Sequence, residues 1–206
     1  MNMDRREAIR RVSALLGGIA LVSETALLEA CGRERSAGSA AATTFSPNDV
    51  AFLDEVADTI LPETSTPGAK AAQCGAFMAL MVTDTYADSD QQVFKNGLQQ
   101  VDTACRQMHK TGFMAATPAQ RLALLEQIDK EQKAYMDDRD AKQAKAGNAA
   151  PTTPSHYFRM MKELTLLGYF TSEIGSTKAM RYIEAPGRYD PCLPYKQGET
   201  SWASHA

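Results

Sequence analysis

The chain is predicted to be all-α: an irregular helical domain of about five to six helices with an extended C-terminal tail. Apolar residues recur at helical spacing from Val50 onward, and capping signals stand in front of several of those stripes. No alternating strand pattern of useful length appears.

Ser46-Pro47-Asn48-Asp49 opens the first helix. Ser46 is suited to cap it, Pro47 to its first turn, and Asp49 to the positive helix end. Val50, Leu53, Val56, Ala57, Ile60 and Leu61 form its stripe, and Pro62 ends it. A turn-rich loop follows to Gly68. The second helix is expected from Ala69 to about Tyr86, with Cys74, Phe77, Leu80 and Met81 on one face. Asp88-Ser89-Asp90 breaks it and caps a third, whose stripe is Val93, Phe94, Leu98, Val101, Cys105 and Met108 and which Gly112 closes. Thr117-Pro118-Ala119-Gln120 reads as a capping box for a fourth helix, with Leu122, Leu125 and Ile128. Its charged continuation, Lys130 to Lys145, is either a solvated helix or a frayed one. A linker with two prolines, Gly147 to Pro154, leads to Thr153 or Ser155 as the start of the fifth. That helix is apolar on most sides (Tyr157, Phe158, Met160, Met161, Leu164, Leu166, Leu167, Tyr169, Phe170), which places it centrally.

The tail from about Pro186 cannot be helical through Pro186, Pro191 and Pro194. Its Tyr189, Tyr195 and Trp202 favour burial. It either wraps its own domain or straps a partner.

The N-terminus has its own logic. Residues 1–30 combine a basic head, a mild apolar run and a small-residue site before Cys31. Arg5-Arg6 followed by Ile9 and Arg10 looks like a twin-arginine export signal, a route for proteins that cross already folded. The apolar stretch Val12 to Val22 is shorter than the roughly 20 residues needed to span a bilayer. Leu28 to Cys31 looks like a lipobox, in which a lipid joins the Cys31 thiol, although Glu29 is uncommon there. Residues 31–44, rich in Ala, Gly, Ser and Thr, read as a flexible tether to the helical domain 45–206. The expected location is the periplasm, with a lipid anchor on Cys31.

The formal net charge of −3 offers no basic field for nucleic acid. With Cys31 acylated, Cys74, Cys105 and Cys192 remain. Three thiols in an oxidising compartment form one disulfide plus a free thiol, bridge to another chain, or stay buried and unpaired. His109, His156 and His205 lack zinc-site spacing. No Cys-x-x-Cys-His, iron–sulfur spacing, glycine-rich phosphate loop or Gly-x-Ser-x-Gly occurs. Asp84, Asp88, Asp90, Asp137, Asp138 and Asp140 sit at predicted helix ends or on polar faces, where solvation explains them. No catalytic residue, metal ligand or cofactor site is expected on this chain. The pattern is that of a non-catalytic subunit.

The run Leu164-Thr165-Leu166-Leu167-Gly168-Tyr169-Phe170-Thr171-Ser172-Glu173-Ile174-Gly175-Ser176 carries a resemblance, continued by Ala179-Met180-Arg181-Tyr182 and Pro186-Gly187-Arg188-Tyr189-Asp190. With Phe45-Ser46-Pro47 and Ile60-Leu61-Pro62, it resembles the gluconate 2-dehydrogenase subunit 3 family over about Phe45 to Trp202. The resemblance implies a small subunit that accompanies a large FAD-dependent dehydrogenase of the glucose–methanol–choline type acting on sugars or sugar acids. FAD would sit on that partner, and a cytochrome c subunit often completes the electron path. It also implies that Arg5-Arg6 serves two chains, because a flavoprotein loaded in the cytoplasm must cross folded. A lipobox is not general to the family and would add membrane tethering to escorting. Tyr169, Phe170, Thr171, Glu173, Cys192 and Trp202 are the expected partner-facing residues; alternatively, Gly168 and Gly175 simply allow close packing and a turn. The competing function is an autonomous lipoprotein that binds a small ligand, such as a sugar, in a helical cleft.

Overall fold

The computed structural model describes residues 45–146, 153–185, 187, 192–194 and 196–203. Arg5, Arg6, Cys31 and the tether lie outside them. The elements are α1 (Pro47–Ile60), α2 (Cys74–Thr85), α3 (Asp88–His109), a 3₁₀ turn (Phe113–Ala115), α4 (Pro118–Ala146), α5 (Tyr157–Thr171) and a π-helical segment (Gly175–Ala179). Among the described residues there is no strand beyond an isolated parallel bridge between Arg181 and Trp202. The domain is all-α, as its periodicity indicates. No described helix is long and apolar enough to cross a membrane.

α1 begins on the expected capping box. The Asp49 amide donates to Ser46 Oγ (3.2 Å), and the Ser46 amide donates to Asp49 Oδ2 (2.8 Å). Phe52, Leu53, Val56 and Ala57 face the core. α2 starts later than its apolar pattern suggests. Gln73 takes a left-handed backbone (φ 54°) and supplies no side-chain cap. The cap comes from α1 instead, where Asp54 Oδ1 accepts the Gly75 amide at 2.8 Å. A Cβ on Gly75 would stand 2.5 Å from the Val50 carbonyl oxygen, so α1 and α2 cross at near-backbone contact. That crossing turns Cys74, Gly75, Met78 and Val82 inward and leaves Leu80 59% exposed, against the expected face.

α3 carries Asp88 and Asp90 in its first turn, but its N-cap is Ala87, without a side-chain hydrogen bond. The acids therefore act through charge at the positive helix end rather than as caps. Gln91 Nε2 instead donates to the Tyr86 carbonyl (3.0 Å) and the Thr83 carbonyl (3.3 Å), sealing the α2–α3 corner. The helix closes at Lys110, whose left-handed φ of 59° does what Gly112 was expected to do. Phe94, Leu98, Val101 and Cys105 are buried, whereas Met108 is exposed.

The 3₁₀ turn is pinned by three hydrogen bonds to two side chains, Asp102 and Arg121. The Phe113 amide donates to Asp102 Oδ1 (2.8 Å), and Arg121 donates to the Phe113 and Met114 carbonyls (3.0 and 2.8 Å). Glu55 of α1 meets both Arg121 and Lys70. Its hydrogen bond with Lys70, then the Arg121 charge, hold its carboxyl below the ordinary range despite the opposing effect of burial. α4 starts on the Thr117–Gln120 capping box, with the Thr117 amide donating to Gln120 Oε1 at 2.9 Å. Leu124, Leu125, Ile128 and Gln132 face the core, while Leu122 is exposed. Beyond Gln132 the helix runs on to Ala146 as a largely solvated rod.

α5 is capped by His156, not by Thr153 or Ser155. His156 Nδ1 accepts the Phe158 amide at 3.2 Å. The helix packs against all four others. Its inward residues Tyr157, Phe158, Met160, Met161, Leu164, Thr165, Gly168 and Tyr169 complete the core.

Gly75→Ala is expected to lower unfolding free energy by about 1–3 kcal/mol in urea titration, because the added methyl must push α1 from α2. Burial holds the His156 imidazole below its ordinary 6.5, against an opposing pull from Glu131. The neutral, capping form is thus favoured in the folded state, and its contribution is present above pH 6.5 and lost as pH falls through the depressed value. Thermal unfolding scans between pH 7.5 and 5 should show this decline. Asn at position 156, a good cap without a titrating ring, should flatten it.

Candidate partner-facing surface

The distinctive run 164–176 divides into an inward and an outward half. Inward, a Cβ on Gly168 would lie 2.6 Å from the Phe77 ring, so the Phe77 side chain of α2 rests directly on the α5 backbone there. Tyr169 is also inward. It is 4% exposed, and its hydroxyl donates to the Pro67 carbonyl at 2.6 Å, fixing the loop between α1 and α2. The expectation that Tyr169 faces a partner is therefore corrected: its ring is covered by its own domain. After Tyr169 the chain turns sharply. The Ser172 amide and hydroxyl both donate to the Tyr169 carbonyl (3.2 and 2.7 Å), and Ser172 Oγ accepts the Gly175 amide at 3.0 Å. A Cβ on Gly175 would stand 1.8 Å from that same Tyr169 oxygen, so only glycine permits the π-helical segment. Much of the run is thus accounted for by packing and a turn.

The outward half is different. Leu166 (38%), Leu167 (46%) and Phe170 (38%) are exposed, and Thr171 and Glu173 with them. The Phe170 ring meets the edge of the anchored Tyr169 ring, centroids 5.1 Å apart at 79°. The helix, apolar on most sides, is central as expected, and it still presents this row.

The tail returns to the domain. The Arg181 amide donates to the Ser201 carbonyl (2.9 Å), and the Ala203 amide donates to the Arg181 carbonyl (2.8 Å). The Arg181 guanidinium stacks 4.5 Å above the Trp202 ring and pairs with Glu199 at 3.3 Å. Trp202 keeps 45% exposure beneath that stack, and Cys192 is exposed. Of the two tail readings, a wrap onto its own chain describes this end. Cys74 and Cys105 are separately buried thiols, not joined to each other. Burial pushes the Cys74 thiol up to about 11, with Asp54 adding to the effect, so it stays neutral.

Beside α5 lies a cleft of about 400 Å³. Tyr86, Ser89 and Asp90 line it from the α2–α3 corner, Arg139 from α4, Ser155 from the linker end, and Glu163 from α5. Arg139 is held by Ser155 Oγ (2.9 Å) and Asp140 (2.9 Å). Burial, then Glu163 and Asp90, raise the Tyr86 phenol, which remains a donor at neutral pH. This grouping, contributed by four separate segments, was not apparent in the sequence. Asp138 pairs with Lys142 at 2.6 Å on the solvated part of α4. His109 lies in the last turn of α3, and His156 is the α5 cap. Among the described residues no three His, Cys, Asp or Glu side chains gather closely enough to hold a metal ion.

The family model described as gluconate 2-dehydrogenase subunit 3 matches residues 47–187, from the first turn of α1 into the tail. The chain belongs to the gluconate 2-dehydrogenase subunit 3 family. The match spans all five helices and the whole 164–176 run. The family is, by its description, one subunit of a multi-subunit dehydrogenase, and its members have a dehydrogenase for a partner. No curated protein and no solved structure matches the chain.

Tyr169→Phe is expected to cost about 1 kcal/mol in chemical denaturation, since it strands the Pro67 carbonyl. Phe170→Ala, at an exposed site, should move the midpoint far less.

Proposed function

We propose that this chain is the non-catalytic small subunit that escorts, stabilises and membrane-tethers a large FAD-dependent dehydrogenase of the glucose–methanol–choline type, acting on a sugar or sugar acid. The observation that carries this reading is the family match across the helical domain. The N-terminal sequence supplies the rest: a twin-arginine-like head at Arg5-Arg6 and a lipobox-like site at Cys31. FAD belongs to the large subunit, and a cytochrome c subunit passes its electrons on. The assembled pair crosses the inner membrane folded, on the signal of this chain, and is then held at the periplasmic membrane surface by the lipid on Cys31.

The division of labour has a physical basis. A flavoprotein binds FAD in the cytoplasm only once its own fold is formed, which excludes export as an unfolded thread. A small helical subunit that binds the loaded enzyme gives it passage without a signal of its own. The low charge of this chain adds no long-range field that would compete for nucleic acid or polyanions.

Co-expressing both subunits with Arg5 and Arg6 replaced by Lys should leave the flavoprotein in the cytoplasm, read by activity in periplasmic and cytoplasmic fractions. Flavoprotein in the periplasm at the wild-type level would overturn the escort role. Cys31→Ala should move the complex from the membrane pellet to the soluble periplasmic fraction.

A further inference from the structure

α5 shows one continuous outward strip. Glu163 lines the cleft, and Leu166, Leu167 and Phe170 follow at helical spacing on the same side. The strip therefore runs from a polar notch to an apolar ridge.

The ridge is rigid. Phe170 rests edge-on against Tyr169, whose hydroxyl is fixed on Pro67. The helix beneath packs through Thr165 and Gly168, with Thr165 Oγ1 donating to the Met161 carbonyl at 2.8 Å. An aromatic braced in this way loses little entropy on binding and makes a strong anchor.

The notch carries the charge. Asp90 has no ion-pair partner among the described residues. Glu163 is met by Arg159 at 2.5 Å, an exposed pair that is easily exchanged. Among the described residues that line the cleft, the one cation, Arg139, is engaged by Asp140 and Ser155. What complements this notch is a cation, with the Tyr86 ring as a wall for its stem.

We infer that the outward strip of α5 is the docking surface for the dehydrogenase subunit, which lays an apolar segment along Leu166, Leu167 and Phe170 and places a Lys or Arg side chain in the notch between Asp90 and Glu163. This rests on the subunit reading above and names the surface through which it operates. The apolar ridge sets affinity, and the charged notch sets register and salt dependence.

The test is co-expression of the tagged chain with the large subunit, followed by affinity purification and titration of complex dissociation against salt. Phe170→Asp with Leu167→Asp should cut retained large subunit about tenfold or more. Asp90→Asn should weaken binding by about threefold and flatten its salt dependence. Thermal unfolding of each isolated variant should match wild type, because all three side chains are surface-exposed or half-buried. Wild-type retention by both variants, with unchanged salt dependence, overturns the surface while leaving the subunit reading standing. A wild-type chain that retains no dehydrogenase at all overturns the subunit reading and the surface with it. A wild-type homodimer that Phe170→Asp converts to monomer, with dehydrogenase binding intact, also overturns it by making a second copy the occupant.

Discussion

Burial of α5 against four neighbours is the constraint under which the other elements take their places. A helix surrounded on most of its circumference must present small groups where partners come close and satisfy every polar atom it brings inside. Gly168 lets the Phe77 ring reach the helix surface, and Thr165 returns its hydroxyl to the Met161 carbonyl. Gly97 of α3 does the same near the start of α5, since a Cβ there would stand 2.6 Å from Tyr157. With those approaches fixed, the crossings of α2 and α3 over α5 are fixed as well.

The ends of the surrounding helices are then set by contacts distant in sequence. Asp54 of α1 caps α2 at Gly75, and Asp102 of α3 accepts the amide that starts the 3₁₀ turn. Glu55 and Arg121 join α1 to the start of α4. Each is a charged or polar group held at the edge of the core, where partial burial strengthens the interaction without the full desolvation cost. The domain is stitched at its loops and greasy at its centre.

What could be read from the sequence follows from how local each signal is. The Ser46–Asp49 and Thr117–Gln120 boxes involve residues three apart, so the chain displays them directly. The existence and order of the five helices came from the same short-range periodicity. The α2 start did not, because its cap is supplied by Asp54 on another helix. His156 as a cap was hidden for another reason: Ser and Thr nearby are the commoner choice, and only the imidazole orientation decides it. Helical spacing identified apolar stripes but not which of their members would lie at the edge of the packed face, so Leu80, Leu122 and Met108 emerged at the surface. The 164–176 run stood out in the sequence by its composition. Its division into a buried Tyr169 and an exposed Phe170, adjacent residues of similar character, depends on Pro67 lying opposite one and not the other. The cleft is assembled from four segments and had no sequence signal.

The two interior cysteines carry a consequence for when this domain can be finished. Cys74 rests with its sulfur 3.9 Å from the Thr165 carbonyl, and Cys105 is enclosed elsewhere in the same core. Neither side chain waits for an oxidant, so the helical packing closes as well in a glutathione-rich cytosol as beyond the cell membrane. Maturation of the bundle is thereby uncoupled from the redox potential on either side of the barrier.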